Sequence, residues 1–122
     1  MKQVKLLGIH CSVSGGLHLS FDEAEKLGID TFQIFTQNQR QWINKKYDQE
    51  TIDAFKKAWK ASKVKTVFSH CSYLLNLASE DETLRNKSID ALTGEVQRIG
   101  VDLGWRQHLR ADGNDLGVVH RA

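Results

Sequence analysis

Three short apolar runs, each closing on polar side chains and each followed by a stretch of helical periodicity, constrain this chain more than any other feature. Val4 to His10 (Val-Lys-Leu-Leu-Gly-Ile-His) and Thr31 to Thr36 (Thr-Phe-Gln-Ile-Phe-Thr) read as strands, the first buried on both faces as in a parallel sheet. The third starts at Thr66-Val67-Phe68 and runs into Ser69-His70. Behind the first run, Leu17, Phe21, Ala24 and Leu27 share one helical stripe, and Gly28 marks the stop. Behind the second, Ile52, Phe55 and Trp59 repeat that spacing in a helix opening near Asp48. Behind the third, Ser79 and Glu82 have capping-box spacing ahead of Leu84, Ser88, Leu92, Val96 and Ile99, and Gly100 is expected to end the helix. A strand–helix alternation repeated in this way predicts an α/β fold with a parallel sheet and right-handed crossovers.

In a parallel sheet the C-terminal ends of the strands lie on one rim, and ligand-binding side chains collect there. His10, the loop Gln37-Asn38-Gln39-Arg40-Gln41-Trp42 and His70 are therefore expected on one face, although they lie far apart in the chain. His-Cys-Ser occurs twice, at 10–12 and 70–72, at equivalent strand ends. Adjacent His and Cys on a strand point to opposite faces, so a converging His/Cys metal site is not expected, and two buried small cysteines fit better. The amide-rich loop with its guanidinium and indole suits contacts to phosphates, sugars or exposed bases, and suits an ordinary solvated loop as well. His70 and Tyr73 carry the same ambiguity, since a hydrogen-bonded histidine and core-filling neighbours would look alike in sequence. Lys56, Lys57, Lys60 and Lys63 read as a solvated helix face.

A formal charge of +2 over 122 residues gives no strong field for polyanions beyond a local patch. The two cysteines, Cys11 and Cys71, and an opening of Met-Lys-Gln-Val-Lys without an apolar leader suggest a reduced, cytoplasmic setting. No run approaches the roughly 18 apolar residues of a membrane span, so no membrane partner is expected.

The motifs, in their order and spacing, resemble endonuclease IV, the metal-dependent endonuclease family that cuts DNA at abasic sites. The segments that carry this are Gly8-Ile9-His10-Cys11-Ser12-Val13-Ser14-Gly15-Gly16, Phe35-Thr36-Gln37-Asn38-Gln39-Arg40-Gln41-Trp42 and His70-Cys71-Ser72-Tyr73-Leu74-Leu75-Asn76-Leu77. The resemblance implies a (β/α)8 TIM barrel whose C-terminal rim holds a trinuclear zinc centre and cleaves the phosphodiester bond 5′ to an abasic site in double-stranded DNA. His70 then matches a zinc ligand, and Arg40, Tyr73 and Leu74 match residues that enter the DNA at the damaged site. His10 matches a position near the centre that is not counted as a ligand. The chemistry is coherent: zinc lowers the pKa of bound water and neutralises phosphate charge. An abasic site also lacks a stacked base, so wedge side chains open it at low cost.

On this reading residues 1–100 are the N-terminal part of such a barrel and residues 101–122 a divergent tail. The family would continue into a His-Pro-Gly-x-His loop, whereas this chain has no proline and continues Val101-Asp102-Leu103-Gly104-Trp105-Arg106. Two candidates exist for the fourth strand: Val101 to Gly104, or Leu116 to His120 with His120 in the place of the next ligand. His108 reads as an exposed tail residue. Eight units require roughly 250 residues, so the chain is expected to be a truncated member with three to four units. One identified ligand does not hold three zinc ions, and no catalytic residue is assigned. Such a fragment is expected to be inactive alone and, with uncovered strand edges, prone to self-association, whereas the complete enzyme is expected to be monomeric. The alternatives are a non-catalytic DNA-binding fragment and another divalent-metal barrel such as a sugar isomerase, against which the Asn-Gln-Arg-Gln-Trp loop argues.

Overall fold

The computed structural model describes residues 7–43 and 45–103, and the backbone of two further short strands at 106–108 and 119–121. Val4 to Leu6 of the expected first strand, and Leu116 to Val118, lie outside the described residues. Strands β1 (Gly8–His10), β2 (Thr31–Phe35) and β3 (Thr66–His70) pair in parallel, in the registers Gly8↔Thr31 and Thr31↔Thr66. Helices α1 (Leu19–Leu27), α2 (Gln49–Ala61) and α3 (Glu82–Gln97) follow them in turn, giving the expected βα alternation.

The described part of β1 is exposed rather than buried on both faces, because it forms one edge of the sheet. Its approach to β2 depends on a missing side chain: a Cβ at Gly8 would stand 2.2 Å from the Thr31 carbonyl oxygen. Helix α1 buries Phe21 and Ala24 with Leu17 just ahead of it, while Leu27 stays 55% exposed over an open apolar groove that Leu7 and Ala61 also line. The helix stops where a left-handed residue is required. Gly28 has φ 67° and its N–H bonds to the carbonyls of Ala24 and Glu25. Gly28→Ala meets no atom within 4 Å, so its effect is backbone strain alone, about 1 kcal/mol lost in a urea melt.

Helix α2 opens at Asp48, whose carboxylate accepts from the Thr51 N–H at 2.7 Å. It packs Ile52 and Phe55 under the sheet, and the Trp59 indole N–H donates to the Val64 carbonyl at 3.0 Å. Phe21 touches Phe32, Phe55 and Trp59, so one aromatic cluster joins α1, α2 and β2.

Helix α3 is capped differently from the capping-box reading. Asp81 accepts from the Leu84 N–H at 3.2 Å, while Ser79, two residues too early, accepts from the Asp81 N–H. The helix does not end at Gly100 either: one π-helical turn, Arg98–Asp102, continues it and keeps Ile99 and Leu103 buried on the sheet. Val101 and Asp102 are therefore helical rather than the start of a fourth strand. The chain instead supplies β4 (Arg106–His108) and β5 (Val119–Arg121), so the backbone at His108 is in a short strand. β5 pairs antiparallel with β3, at Val67↔His120, and β4 antiparallel with β5, giving the order β1-β2-β3-β5-β4. His120 therefore does not stand at the end of a fourth parallel strand.

Candidate nucleic-acid interface

The three parallel strands end at His10, Phe35 and His70, and their rings meet on the rim. Centroids lie 4.5 Å apart for His10–Phe35, 4.9 Å for Phe35–His70 and 5.9 Å for His10–His70. Tyr73 adds its ring edge to Phe35 at 5.5 Å and to His70 at 5.7 Å. His70 Nδ1 donates to the Cys71 carbonyl at 2.6 Å, which leaves the Nε2 lone pair to face a cation or a proton donor. Partial burial, followed by repulsion from His70, lowers the pKa of His10. Cys11 is buried and its thiol is pushed up to about 11 by burial and by Glu23 beside it. Burial raises Cys71 as well. Both cysteines are small buried or half-buried thiols, as the strand geometry required.

Two loops rise from this rim. In the first, Asn38 folds the chain on itself: its Oδ1 accepts from the Arg40 N–H at 2.9 Å and its carbonyl from the Gln41 N–H at 3.3 Å. In the second, Ser72 Oγ accepts from the Leu74 N–H at 3.2 Å, setting the turn that carries Tyr73. The same hydroxyl donates to the Gln39 carbonyl at 2.9 Å, so the loops are joined directly. Thr36 Oγ1 and Ser69 Oγ share a second bridge at 2.5 Å just beneath. The fold thus brings the Arg40 loop, Tyr73, Leu74 and His70 to one face. Tyr73 is 73% exposed, Arg40 is exposed and Leu74 half-buried. Trp42 is held by Lys87 of α3, whose Nζ stands 4.6 Å from the indole ring.

Behind the loops lies a polar cluster that the sequence reading missed. Glu95 of α3 is only 2% exposed, and Arg98 Nη1 donates to its Oε2 at 2.7 Å. The Gln37 amide is assigned with its nitrogen donating to Glu95 Oε2 at 2.9 Å and its oxygen accepting from the Ser72 N–H at 3.3 Å, because the reverse would oppose like atoms. The Tyr47 hydroxyl donates to the Thr36 carbonyl, and the Arg98 guanidinium lies 5.7 Å from the Tyr47 ring. Burial pushes the Glu95 carboxyl up to about 7 against the opposing pull of Arg98, and burial also raises Tyr47. A signal was available: Ser88, Leu92, Glu95 and Ile99 are spaced four, three and four apart, which puts Glu95 on the buried face. Phe35, Gln39, Lys45, Lys46, Tyr47 and Arg98 help to line an open cleft of about 590 Å³ beside the first loop.

Among the described residues no three His, Cys, Asp or Glu side chains come together as a metal site. His70, with His10 beside it, falls short of the donors that a zinc centre requires.

The family model of the xylose isomerase-like TIM barrel matches residues 21–117. The chain belongs to that barrel family. Within the xylose isomerase-like barrels, relatives named probable endonuclease 4 match it, with 42% identity over 91 residues in Chloroflexus aurantiacus, covering 75% of this chain and 32% of the relative. The protein of that name from Geobacter sp. (strain M21) is 36% identical over 118 residues, covering 93% of this chain and 42% of the relative. The crystal structure of endonuclease IV from Thermus thermophilus superposes with a TM-score of 0.70 at 32% identity, covering 80% of this chain and 36% of that one. The chain thus spans about a third of the length of these barrel relatives and corresponds to their N-terminal part.

Proposed function

We propose that this chain is the N-terminal DNA-contacting part of a repair endonuclease that, when complete, cleaves 5′ to abasic sites with a trinuclear zinc centre. The observation that carries the reading is the joining of the Arg40 loop to the Tyr73 turn through Ser72 and Gln39, with Tyr73 projecting from the rim beside His70. In this reading Tyr73 and Leu74 are the wedge at the missing base and Arg40 contacts the opened backbone. His70 contributes Nε2 to a zinc ion whose other ligands come from elsewhere in a complete barrel. Zinc bound there would activate water and neutralise phosphate charge. Residues 101–122 are read as a tail divergent from the barrel, and the setting as cytoplasmic. The relatives' names favour this reading over a sugar isomerase.

The chain is expected to prefer a duplex containing a tetrahydrofuran abasic analogue over the intact duplex in fluorescence anisotropy. Tyr73→Ala should weaken abasic binding on the order of tenfold, the worth of one stacking aromatic, with intact-duplex binding little changed. Equal affinity for the two duplexes overturns the wedge assignment. Chelator-sensitive cleavage by the purified chain overturns the view that this portion is inactive alone.

A further inference from the structure

The two loops are tied to each other by Ser72 and Gln39, but that tie alone leaves them free to move together relative to the sheet. What anchors them is on α3. Gln37, the first residue of the Arg40 loop, reaches back to the Glu95 carboxylate while its other amide atom holds the Ser72 N–H at the root of the Tyr73 turn. Glu95 is in turn gripped by Arg98, whose guanidinium covers Tyr47, and Tyr47 donates to the Thr36 carbonyl one residue before Gln37. A buried carboxylate is costly unless it organises donors around it, and here the donors are the Gln37 amide of the first loop, whose oxygen in turn accepts from the Ser72 N–H of the second, and Arg98, which braces Tyr47.

We propose that Glu95 is a positioning residue that fixes the Arg40 loop and the Tyr73 turn as one rigid reading head through Gln37 and Ser72. Its relevance to DNA rests on the function proposed above, whereas its effect on the loops does not. The charged and titratable groups facing Glu95 are Arg98 on its own helix, Tyr47 ahead of α2 and Cys71 after β3. Glu95 Oε1 has no hydrogen-bond partner among the described residues, and Oε2 accepts from both Arg98 and Gln37.

Hydrogen exchange of the purified chain at pH 8 tests this without DNA. Glu95→Ala should speed exchange roughly tenfold at the protected amides of 40–41 and 72–75, as expected for losing about one hydrogen bond, with protection in α1 and α2 unchanged. Gln37→Ala, at a half-buried loop position where no core is lost, should reproduce the effect, and Glu95→Gln, which keeps an acceptor for Arg98 and Gln37, should restore most of the protection. If Glu95→Ala does not fold, the Gln37→Ala pattern decides alone. Unchanged exchange in both loops, or an equal rise in the loops and in α1 and α2, overturns the proposal. Anisotropy on the abasic duplex is read beside it: loosened loops with about tenfold weaker binding support both readings. Loosened loops in a chain whose wild type does not prefer abasic DNA leave the positioning role standing and remove the function.

Discussion

Phe55→Ala should abolish cooperative unfolding of this chain. Phe55 is fully buried, its ring 5.1 Å from that of Phe21 and 5.7 Å from that of Trp59, and Phe21 passes the contact on to Phe32 of β2. Truncating a buried phenylalanine costs about 3–5 kcal/mol through lost transfer energy and the cavity left behind. The aromatic pairs add about 0.5–1.5 kcal/mol each beyond their area. A small domain holds only about 5–15 kcal/mol in total, and this one leaves β1 as an exposed edge with Leu7 and Ile9 uncovered. The substitution therefore removes most of the margin. A thermal melt followed by circular dichroism should lose its sigmoid, with dye binding to exposed apolar surface at room temperature. Phe55→Leu, which keeps most of the volume, should keep the transition at a lower midpoint. A cooperative melt of Phe55→Ala close to that of the parent would show that the aromatic cluster is not the core of the fold.

The parts legible in the sequence were those set by local periodicity. Ile52, Phe55 and Trp59 lie on the inner face of α2, Gly28 stops α1 in the left-handed conformation, and the three parallel strands follow from repeated apolar runs. The shared rim of His10, Gln37 to Trp42 and His70 followed from that topology, because parallel strands align their ends whatever their separation in the chain. What was not legible depended on non-local partners. Nothing near Val101 announces that Ile99 and Leu103 keep the helix winding past Gly100, since a glycine stop is overridden once both side chains have a core to enter. The antiparallel return of β5 onto β3 is likewise a matter of which edge is free, not of residue type. A carboxylate on an apolar stripe reads in sequence as an interruption, and only the fold shows Gln37 and Arg98 arriving around Glu95.

The buried position of Glu95 gives the chain a pH-dependent stability of definite sign. Its carboxyl titrates at about 7 in the folded chain against an ordinary value of 4.5, burial being the larger cause and Arg98 working against it. Between those values the folded chain holds a proton that the unfolded chain has released. Stability is therefore full below about pH 4.5, falls as pH rises through the window, and levels off above about pH 7. The amplitude is on the order of 3 kcal/mol. His10 contributes in the opposite sense, because its lowered pKa makes the unfolded chain the better proton binder below the ordinary histidine value, so that its term rises with pH. Subtraction separates the two: Glu95→Gln removes only the falling component. Urea unfolding at intervals from pH 4.5 to 8 should give parent and Glu95→Gln curves that lie close together at the acid end and diverge towards neutrality, with the variant the more stable. Curves that run parallel across the range would mean that Glu95 is ionised throughout, held by Arg98 and Gln37 strongly enough to offset its burial. The loops would then be anchored by a permanent charge rather than by one that is lost on mild acidification.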